Sequence, residues 1–351
     1  MKMKKIRLAI LGFGNAGRAF ARILLEKQGE VEAKYGIAIL VVAIATKSRG
    51  SLVDPAGVDL EKACRDVEEL GRFDEEQPGY CQRTAMDIVE EVAYDVLLEL
   101  TPLDIFSGQP AIAHIEKAFL RGAHAISANK GPIAWDYHRL RDLASDQGCL
   151  FFFETAVMDG TPIFNLVEDT LKFCKVTEVK GILNSTTNYV LEEMAKGEDY
   201  DKVIAEGKRR GFIEADPAMD IEGYDAAAKT TALLNVLMEA GITPLDIDRK
   251  GIEEIRVEDI KKAEEKGMTI KLICNGKIED GKVKGAVRPE EVPKTALLAT
   301  IDGTSSAVSI TTDLMGTVSI IEHAPEIEQT AYGIFSDLVR VLEHRPEPPQ
   351  K

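Results

Sequence analysis

The chain has 351 residues, of which 45% are hydrophobic and 29% are charged, and its formal net charge at pH 7 is −16. A surface that binds nucleic acid requires clustered lysine and arginine, so this acidic balance argues against a nucleic-acid partner. The length favours two domains. The longest apolar run, Ile37 to Ala45, is far too short to cross a membrane, so no membrane partner is expected.

The cysteines and the N-terminus bear on the cellular compartment. The five cysteines lie far apart, are odd in number and include no C-x-x-C pair. This pattern is typical of a reduced protein and predicts a cytoplasmic location. The apolar run after the basic residues Met1 to Lys5 ends at Gly12, which is too early for the core of a signal peptide. We therefore expect a soluble, cytoplasmic protein.

The first predicted elements are a strand, a glycine-rich loop and a helix. Ile6 to Leu11 is a nearly continuous apolar run, as a buried parallel strand would be, and Arg18 to Lys27 has apolar residues on one helical face. In this context a G-x-G-x-x-G loop indicates a dinucleotide site, because the N–H groups at the helix start bind the pyrophosphate. A glycine-rich turn without a ligand is the less favoured alternative. The loop consists of Gly12, Phe13, Gly14, Asn15, Ala16 and Gly17.

The residues after the second predicted strand, Ile37 to Ala45, bear on the choice of dinucleotide. An NAD site usually has Asp or Glu there, bonded to the ribose 2′-hydroxyl. This chain instead has Lys47, Ser48 and Arg49, two cations and a hydroxyl that suit a 2′-phosphate. The sequence therefore favours NADP over NAD. The alternative is that both cations are solvated loop charges.

Further apolar strands, Asp95 to Leu100 and His124 to Ser127, alternate with helices. This alternation predicts an α/β fold with a doubly wound, Rossmann-type parallel sheet over residues 1–147. Lys130 follows the second of these strands, at the carboxyl edge of the sheet, where ligands bind in such folds. An exposed lysine in a turn is the usual interpretation of an isolated lysine, and that alternative stays open.

The sequence pattern of the second half of the chain predicts a mixed α+β domain over residues 148–328, which we expect to bind the substrate and to mediate dimerisation. Its strands lie near residues 149–153, 176–183, 269–274, 283–289 and 307–312. Asn184 to Asn188 is a cluster of side-chain acceptors that suits the start of a helix. The amphipathic helix at about 329–344 is expected to pack back on the first domain, and the Pro-rich tail 345–351 is predicted to be disordered.

A helix predicted over residues 225–240 carries charges on its apolar face. Lys229 and Asp225 lie three to eight residues before Ala232 and Leu233, on the face that should be buried. In a frayed first turn, Asp225 would simply complement the helix dipole and pair with Lys229. In a cleft, burial would tune the lysine for proton transfer.

The preceding loop favours the second interpretation. Its acids, Glu214, Asp216 and Asp220, crowd a short segment bounded by glycine and proline. With Asp225 they would form a cage for a substrate ammonium group. A solvated acidic loop or a cation site is the alternative.

The combined motifs resemble homoserine dehydrogenase over nearly the whole chain, and in the right order. The segment that runs from Glu214 to Lys229 is the most specific part of the resemblance. The matching segments are Gly12–Gly17, Glu99–Pro102, Ala128–Gly131, Glu154–Gly160, Gly181–Tyr189 and Gly211–Lys229.

The resemblance implies reversible NAD(P)H-dependent reduction of L-aspartate 4-semialdehyde to L-homoserine, in threonine and methionine biosynthesis. It implies Lys229 as the proton donor and Lys130 as a second catalytic lysine. It implies Thr101 and Lys130 as cofactor contacts. The substrate-binding residues that it implies are Glu214, Asp220, Asp225 and Thr186.

The resemblance also implies a homodimer and a bound monovalent cation such as sodium. The cation ligands, mostly backbone carbonyls, would be Glu154, Val157, Asp159 and Thr161. Two departures stand out: Asp159 replaces a small residue, and His323 to Glu328 has no glycine where the family often has a glycine-rich loop. No fused kinase or C-terminal regulatory domain is expected. The alternatives are an amino-acid dehydrogenase with a different substrate and a non-catalytic nucleotide-binding homologue.

Overall fold

A computed structural model describes residues 4–210, 213 and 216–344. The predictions for Glu214 and for the tail 345–351 lie outside the described residues. The chain divides into two compact units. The first contains the chain through Pro132, Asp136–Pro162 and the chain from Glu326 onward, and the second contains Ile133–Trp135 and Ile163–Pro325.

The chain forms both strands and α-helices, and the two kinds of element alternate in its first half. The strands are β1 Lys4–Leu11, β2 Ile37–Ala45, β3 Ser51–Val53, β4 Tyr80–Cys81, β5 Val96–Glu99, β6 His124–Ser127, β7 Phe151–Phe152, β8 Val176–Ile182, β9 Asp248–Arg249, β10 Met268–Glu279, β11 Lys282–Pro293, β12 Ser306–Thr312 and β13 Gly316–Glu322. The helices are α1 Asn15–Tyr35, α2 Leu60–Leu70, α3 Ala85–Glu91, α4 Ala111–Leu120, α5 Gly131–Asp146, α6 Phe164–Thr170, α7 Ser185–Ala195, α8 Tyr200–Arg210, α9 Ala218–Ile221, α10 Tyr224–Met238, α11 Val257–Glu265 and α12 Ile327–His344.

The first unit contains a seven-stranded sheet in the order β4-β3-β2-β1-β5-β6-β7. The strands from β2 to β7 in this order are parallel, and β3 and β4 add an antiparallel edge. Leu8, Ile10 and Leu11 of β1 are fully buried, because helices cover both faces of a doubly wound sheet. The strand order reverses between β1 and β5, and ligands bind at such switch points. The predicted doubly wound sheet is confirmed.

The boundary between the first unit and the main segment of the second unit lies after Pro162, whereas the sequence predicted it at 147. The reason is that β7 pairs with β6 as the last strand of the first sheet. The 3-10 helix Glu154–Ala156 that follows contacts α12, which also packs on α1. Residues 148–162 therefore belong with the parallel sheet.

The second unit contains a six-stranded sheet in the order β13-β12-β8-β10-β11-β9. The pairs are antiparallel except for β9 and β11, which confirms the predicted mixed domain. Helices α7, α10 and α11 pack on this sheet. Strand β8 leads into α7 through Leu183 and Asn184, so the polar cluster that follows the strand begins at the end of a central strand.

No helix in the described segments combines the length and the apolarity that a membrane-spanning helix needs. All five cysteines lie in the described part of the chain and are free thiols.

Close packing of two glycines, Gly160 and Gly333, brings α12 against the segment after β7. An added Cβ on Gly333 would lie 2.7 Å from the Cα of Gly160. Replacing glycine by alanine in an open helix stabilises by about 0.5–1 kcal/mol, whereas overpacking a tight contact costs about 1–3 kcal/mol. We expect Gly333→Ala to lower the midpoint of urea unfolding.

Gly29→Ala in α1 is the matched control, because nothing lies within 4 Å of its Cβ position. This variant is expected to keep or raise the midpoint. Equal stabilisation by the two substitutions would contradict a tight contact at Gly333.

Candidate active site

The glycine-rich loop leaves the carboxyl end of β1 and enters α1 at Gly14. Gly12 has a φ of 96°, its N–H donates to the carbonyl of Ala45 at 2.8 Å, and an added Cβ would collide with the carbonyl of Leu100. Only glycine suits this conformation and this space. At Gly14, by contrast, nothing lies within 4 Å of the Cβ position. The loop is therefore tightly packed at Gly12 and open at Gly14.

The N-terminal end of α1 has the polarity that a phosphate requires. No side chain in the described part of the chain caps this end, and the first turn contains no acidic residue. The first-turn N–H groups and the helix dipole therefore present positive charge at Gly14. A strand, loop and helix arranged in this way can bind a pyrophosphate.

The loop between β2 and β3 brings Arg49 to the glycine-rich loop. Its Nη1 donates to the carbonyl of Phe13 at 3.1 Å, while Lys47 and Ser48 are exposed. Arg18 directs its own Nη1 toward the same carbonyl at 3.5 Å. Two guanidinium groups therefore lie beside the predicted cofactor loop. Sequence reasoning missed Arg18, although its position directly after the glycine motif was a signal.

The turns that follow β5 and β6 are bonded to each other. Asn129 donates from Nδ2 to the carbonyl of Thr101 at 3.0 Å, and its Oδ1 accepts from the N–H of Gly131 at 2.9 Å. Lys130 lies between Asn129 and Gly131 and is half-buried. The predicted cofactor contacts Thr101 and Lys130 thus share one hydrogen-bonded segment at the carboxyl edge of the first sheet.

In the second unit, Asn184 binds two of the predicted substrate-binding acids, Asp220 and Asp225. Its Nδ2 donates to Asp220 at 2.7 Å and to Asp225 at 3.1 Å. Lys229 donates from Nζ to the carbonyl of Leu183 at 2.8 Å and lies 3.3 Å from Asp225. Only 20% of the Lys229 side chain and 16% of the Asp225 side chain are exposed. These contacts with the end of β8 go beyond the pairing that a frayed first turn would give.

Helix α7 holds Thr186 in its first turn, where it is 8% exposed. Asn184 caps this helix, because its Oδ1 accepts from the N–H of Thr187 at 2.9 Å. Further along, the buried Lys271 donates to Asn188 at 2.8 Å, and burial lowers the pKa of this lysine. The first turn of α7 is therefore held next to Lys229, Asp220 and Asp225, because Asn184 bonds to both acids and caps this helix.

Sequence reasoning missed Asn184 and Cys274 as neighbours of this cluster. Asn184 carried a signal as a helix-capping residue after a strand, but its acidic partners are distant in sequence. Cys274 lies on β10 with its Sγ 4.0 Å from the carbonyl of Ala226. Burial raises the pKa of the Cys274 thiol to about 11, partly offset by a hydrogen bond with Thr230 and by the charge of Lys229. The thiol is therefore neutral at pH 7.

The expected cation ligands lie in the segment after β7. The carboxylate of Asp159 accepts from the hydroxyl of Thr330 at 2.7 Å, and the N–H of Glu154 donates to Asp337 at 2.9 Å. Among the described residues, no group of three or more His, Cys, Asp or Glu side chains could hold a metal ion. The cation site that the sequence predicts, formed mostly by backbone carbonyls, stays a prediction. The expected ligands are Glu154, Val157, Asp159 and Thr161.

Comparison with known proteins covers both units. The family model described as the NAD binding domain of homoserine dehydrogenase matches residues 12–154, and the model for homoserine dehydrogenase matches residues 162–339. A homoserine dehydrogenase of Methanocaldococcus jannaschii is 37% identical over 95% of this chain and 98% of its own length. An NAD(+)-dependent homoserine dehydrogenase of Pseudomonas canavaninivorans is 30% identical over 97% of each chain.

A solved structure agrees with the sequence comparison. A hyperthermophilic archaeal homoserine dehydrogenase in complex with NADPH superposes with a TM-score of 0.82 at 28% identity, over 98% of this chain and 99% of that one. The parallel sheet and its glycine-rich loop define an oxidoreductase with an NAD(P)-binding domain. The chain belongs to the homoserine dehydrogenase family. The resemblance found in the sequence motifs is confirmed.

Substitutions in the glycine-rich loop can separate folding from cofactor binding. We expect Gly14→Ala to keep the melting temperature, because its φ of −79° suits alanine and the space is open, but to weaken NADPH binding by at least about tenfold. Gly12→Ala is expected to lower the melting temperature, because the new Cβ would meet backbone. Thermal unfolding and titration of NADPH fluorescence measure both effects. Unchanged NADPH affinity in Gly14→Ala would contradict a phosphate site here.

Proposed function

We propose that this chain catalyses the reversible NAD(P)H-dependent reduction of L-aspartate 4-semialdehyde to L-homoserine, in threonine and methionine biosynthesis. The observation that carries this proposal is the cluster of Asn184, Asp220, Asp225 and Lys229. It combines carboxylates, which can bind a substrate ammonium group, with a mostly buried lysine, which can transfer a proton. A homologue without catalytic activity would have no need for such a buried charge cluster.

The two units would divide the work. The first would bind the dinucleotide through Gly12–Gly17 and Thr101, and the second would bind the amino-acid substrate. A nicotinamide cofactor held in the first unit would supply the hydride for reduction and accept it in the reverse reaction. Reduction of the aldehyde carbon leaves an alkoxide oxygen, and Lys229 would give that oxygen its proton. In the oxidation of homoserine, the same lysine would take the hydroxyl proton.

Other residues would position the substrate and the cofactor. Asp220 and Asp225, held by Asn184, would bind the ammonium group together with Glu214. Thr186 would bind the substrate from the first turn of α7. Lys130 would act as the second catalytic lysine while contacting the cofactor.

We propose NADP as the preferred cofactor. A relative is named as NAD(+)-dependent, whereas solved neighbours are in complex with NADPH, so the cofactor preference must be argued from this chain's own residues. Arg49 supports the proposal, because its guanidinium group lies on the glycine-rich loop through Phe13. Lys47 and Ser48 are exposed on the same loop and could reach a 2′-phosphate.

Three further properties complete the proposal. A monovalent cation such as sodium would be held by backbone carbonyls at Glu154, Val157, Asp159 and Thr161. The chain would form a homodimer through the sheet of the second unit. It would act in the cytoplasm, which agrees with five free cysteines in the described part of the chain.

The activity is tested by mixing the purified protein with L-homoserine and either NADP⁺ or NAD⁺ at alkaline pH while the absorbance of the reduced nicotinamide is followed. Reduced cofactor should form with L-homoserine. Preference for another amino alcohol would favour the alternative of a related dehydrogenase with a different substrate. Failure to reduce either nucleotide would contradict the proposed activity.

In this assay, Lys229→Ala should lower kcat by about 10²-fold or more, because the alkoxide loses its proton donor. Lys262→Ala is the matched control, since this lysine side chain on α11 is 70% exposed. Its kcat should equal that of the unmodified protein. Near-normal turnover of Lys229→Ala would remove this lysine from proton transfer.

Arg49→Ala tests the proposed cofactor preference. Loss of a charge-assisted bond to the 2′-phosphate should raise the KM for NADP⁺ by at least about tenfold, while the KM for NAD⁺ changes little. Arg72→Ala is the control, because the Arg72 side chain is 63% exposed and pairs with Glu75. Initial rates at saturating L-homoserine give both constants. An equal rise for the two nucleotides would show that Arg49 only supports the loop.

A further inference from the structure

Glu99, the last residue of β5, is the most deeply buried carboxylate at the ligand-binding edge of the first sheet. Its exposed fraction is 0%, and no lysine or arginine pairs with it among the contacts of the described residues. Burying a carboxylate in this way is costly unless its oxygens accept hydrogen bonds. The hydrogen-bond partners of Glu99 therefore indicate what this buried side chain does.

Both oxygens of Glu99 accept hydrogen bonds. Oε1 accepts from the N–H of Thr101 at 2.9 Å and also from the Thr101 hydroxyl. Oε2 pairs at 2.7 Å with Nδ1 of His114, which lies on α4 and is 3% exposed. The histidine therefore fixes one side of the carboxylate, and the carboxylate fixes Thr101.

These hydrogen bonds determine whether the Thr101 hydroxyl can act as a donor or as an acceptor toward a ligand. A hydroxyl has one proton and two lone pairs. Because the proton is donated to Glu99, the lone pairs of Thr101 remain for a hydrogen-bond donor. The carbonyl of the same residue already accepts from Asn129 at 3.0 Å.

Thr101 also lies beside the glycine-rich loop. An added Cβ at Gly12 would be 3.0 Å from the backbone nitrogen of Thr101. The backbone at Thr101 therefore packs against Gly12, the first residue of the glycine-rich loop that is predicted to bind the dinucleotide. A shift of Thr101 would change the position of its own hydroxyl and also the packing of the glycine-rich loop.

We propose that Glu99, clamped by His114, is a positioning residue that makes the Thr101 hydroxyl a hydrogen-bond acceptor for an N–H or O–H group of the dinucleotide. The inference rests on the proposed role of Thr101 in cofactor binding. Glu99 does not touch the cofactor. It acts through hydrogen-bond geometry rather than through its charge.

The test compares Glu99→Gln with Glu99→Met. The glutamine oxygen can still accept from Thr101, and its amide can donate to the other tautomer of His114, whereas methionine has a similar length without these bonds. The dissociation constant of NADPH, measured by fluorescence titration without substrate, should rise by about tenfold in Glu99→Met and stay close to that of the unmodified protein in Glu99→Gln. The KM for L-homoserine at saturating cofactor should change less than about twofold in both.

Thr101→Val separates this inference from the proposed function. Its loss of the hydroxyl should weaken NADPH binding as much as Glu99→Met does, and the double variant should be no weaker than either alone. Weakened binding in Thr101→Val with unchanged binding in Glu99→Met would overturn the role of Glu99 alone. Unchanged binding in Thr101→Val would overturn the cofactor role of Thr101 and the inference that rests on it. Equal weakening in Glu99→Gln and Glu99→Met would overturn the geometric role.

A second pair of variants covers the case in which Glu99→Met does not fold. His114→Asn keeps an N–H donor for Glu99, and His114→Leu removes it. NADPH binding should weaken in His114→Leu and be kept in His114→Asn. Equal affinities in these two folded variants would overturn the proposed clamp.

Discussion

The amide of Asn184 is the contact on which the polar cluster of the second unit depends. It donates to both Asp220 and Asp225, and it stands directly after Leu183, whose carbonyl accepts from Lys229. Two carboxylates this close together would repel each other, and a mostly buried lysine would lose much of its hydration. The amide and the lysine offset the repulsion between the carboxylates, and the Leu183 carbonyl and Asp225 offset the lost hydration of the lysine. The charged groups can therefore stay in a site with little exposure to water.

The same side chain sets the geometry of three elements. Asn184 caps α7 through Oδ1 and holds α9 and α10 through Nδ2. The first turn of α7 and the first turn of α10 are therefore fixed to a single residue at the end of β8. A substrate group that displaced this amide would have to replace its hydrogen bonds to Asp220, Asp225 and Thr187 at once, which favours a preorganised site over an adaptable one.

In the first unit the groups proposed to bind the ligand belong mostly to the backbone, whereas in the second unit they belong to side chains. The proposed anion site of the first unit would consist of helix N–H groups and of the open space at Gly14, and a glycine at position 12 allows the loop to pack on the segment after β5. Such a site can be recognised from sequence, because the motif itself specifies the backbone. Apolar runs likewise predicted the central strands, since strands buried on both faces need them.

Other features could not be predicted in this way, for definable physical reasons. The pairing of Glu99 with His114 joins β5 to α4, and neither residue type indicates its partner before the crossover is known. The boundary at Pro162 depends on β7, a strand of two residues that is too short to give a periodic signal. Asn184 was visible as a cap, but its acidic partners follow from how α9 and α10 pack.

The missing glycines near the C-terminus illustrate the difference between sequence and backbone. The resemblance in sequence leads us to expect a glycine-rich loop at His323 to Glu328. The chain has no glycine there, yet Ala324 adopts a φ of 40°, in the left-handed region that glycine favours. This conformation costs an alanine roughly 1–2 kcal/mol, so the surrounding structure must impose it. The helix that follows is held by the fully buried Ile334 and Leu338 and by the contact of Gly333 with Gly160. The anchored helix can offset this strain, so Ala324 can hold a backbone conformation that glycine favours.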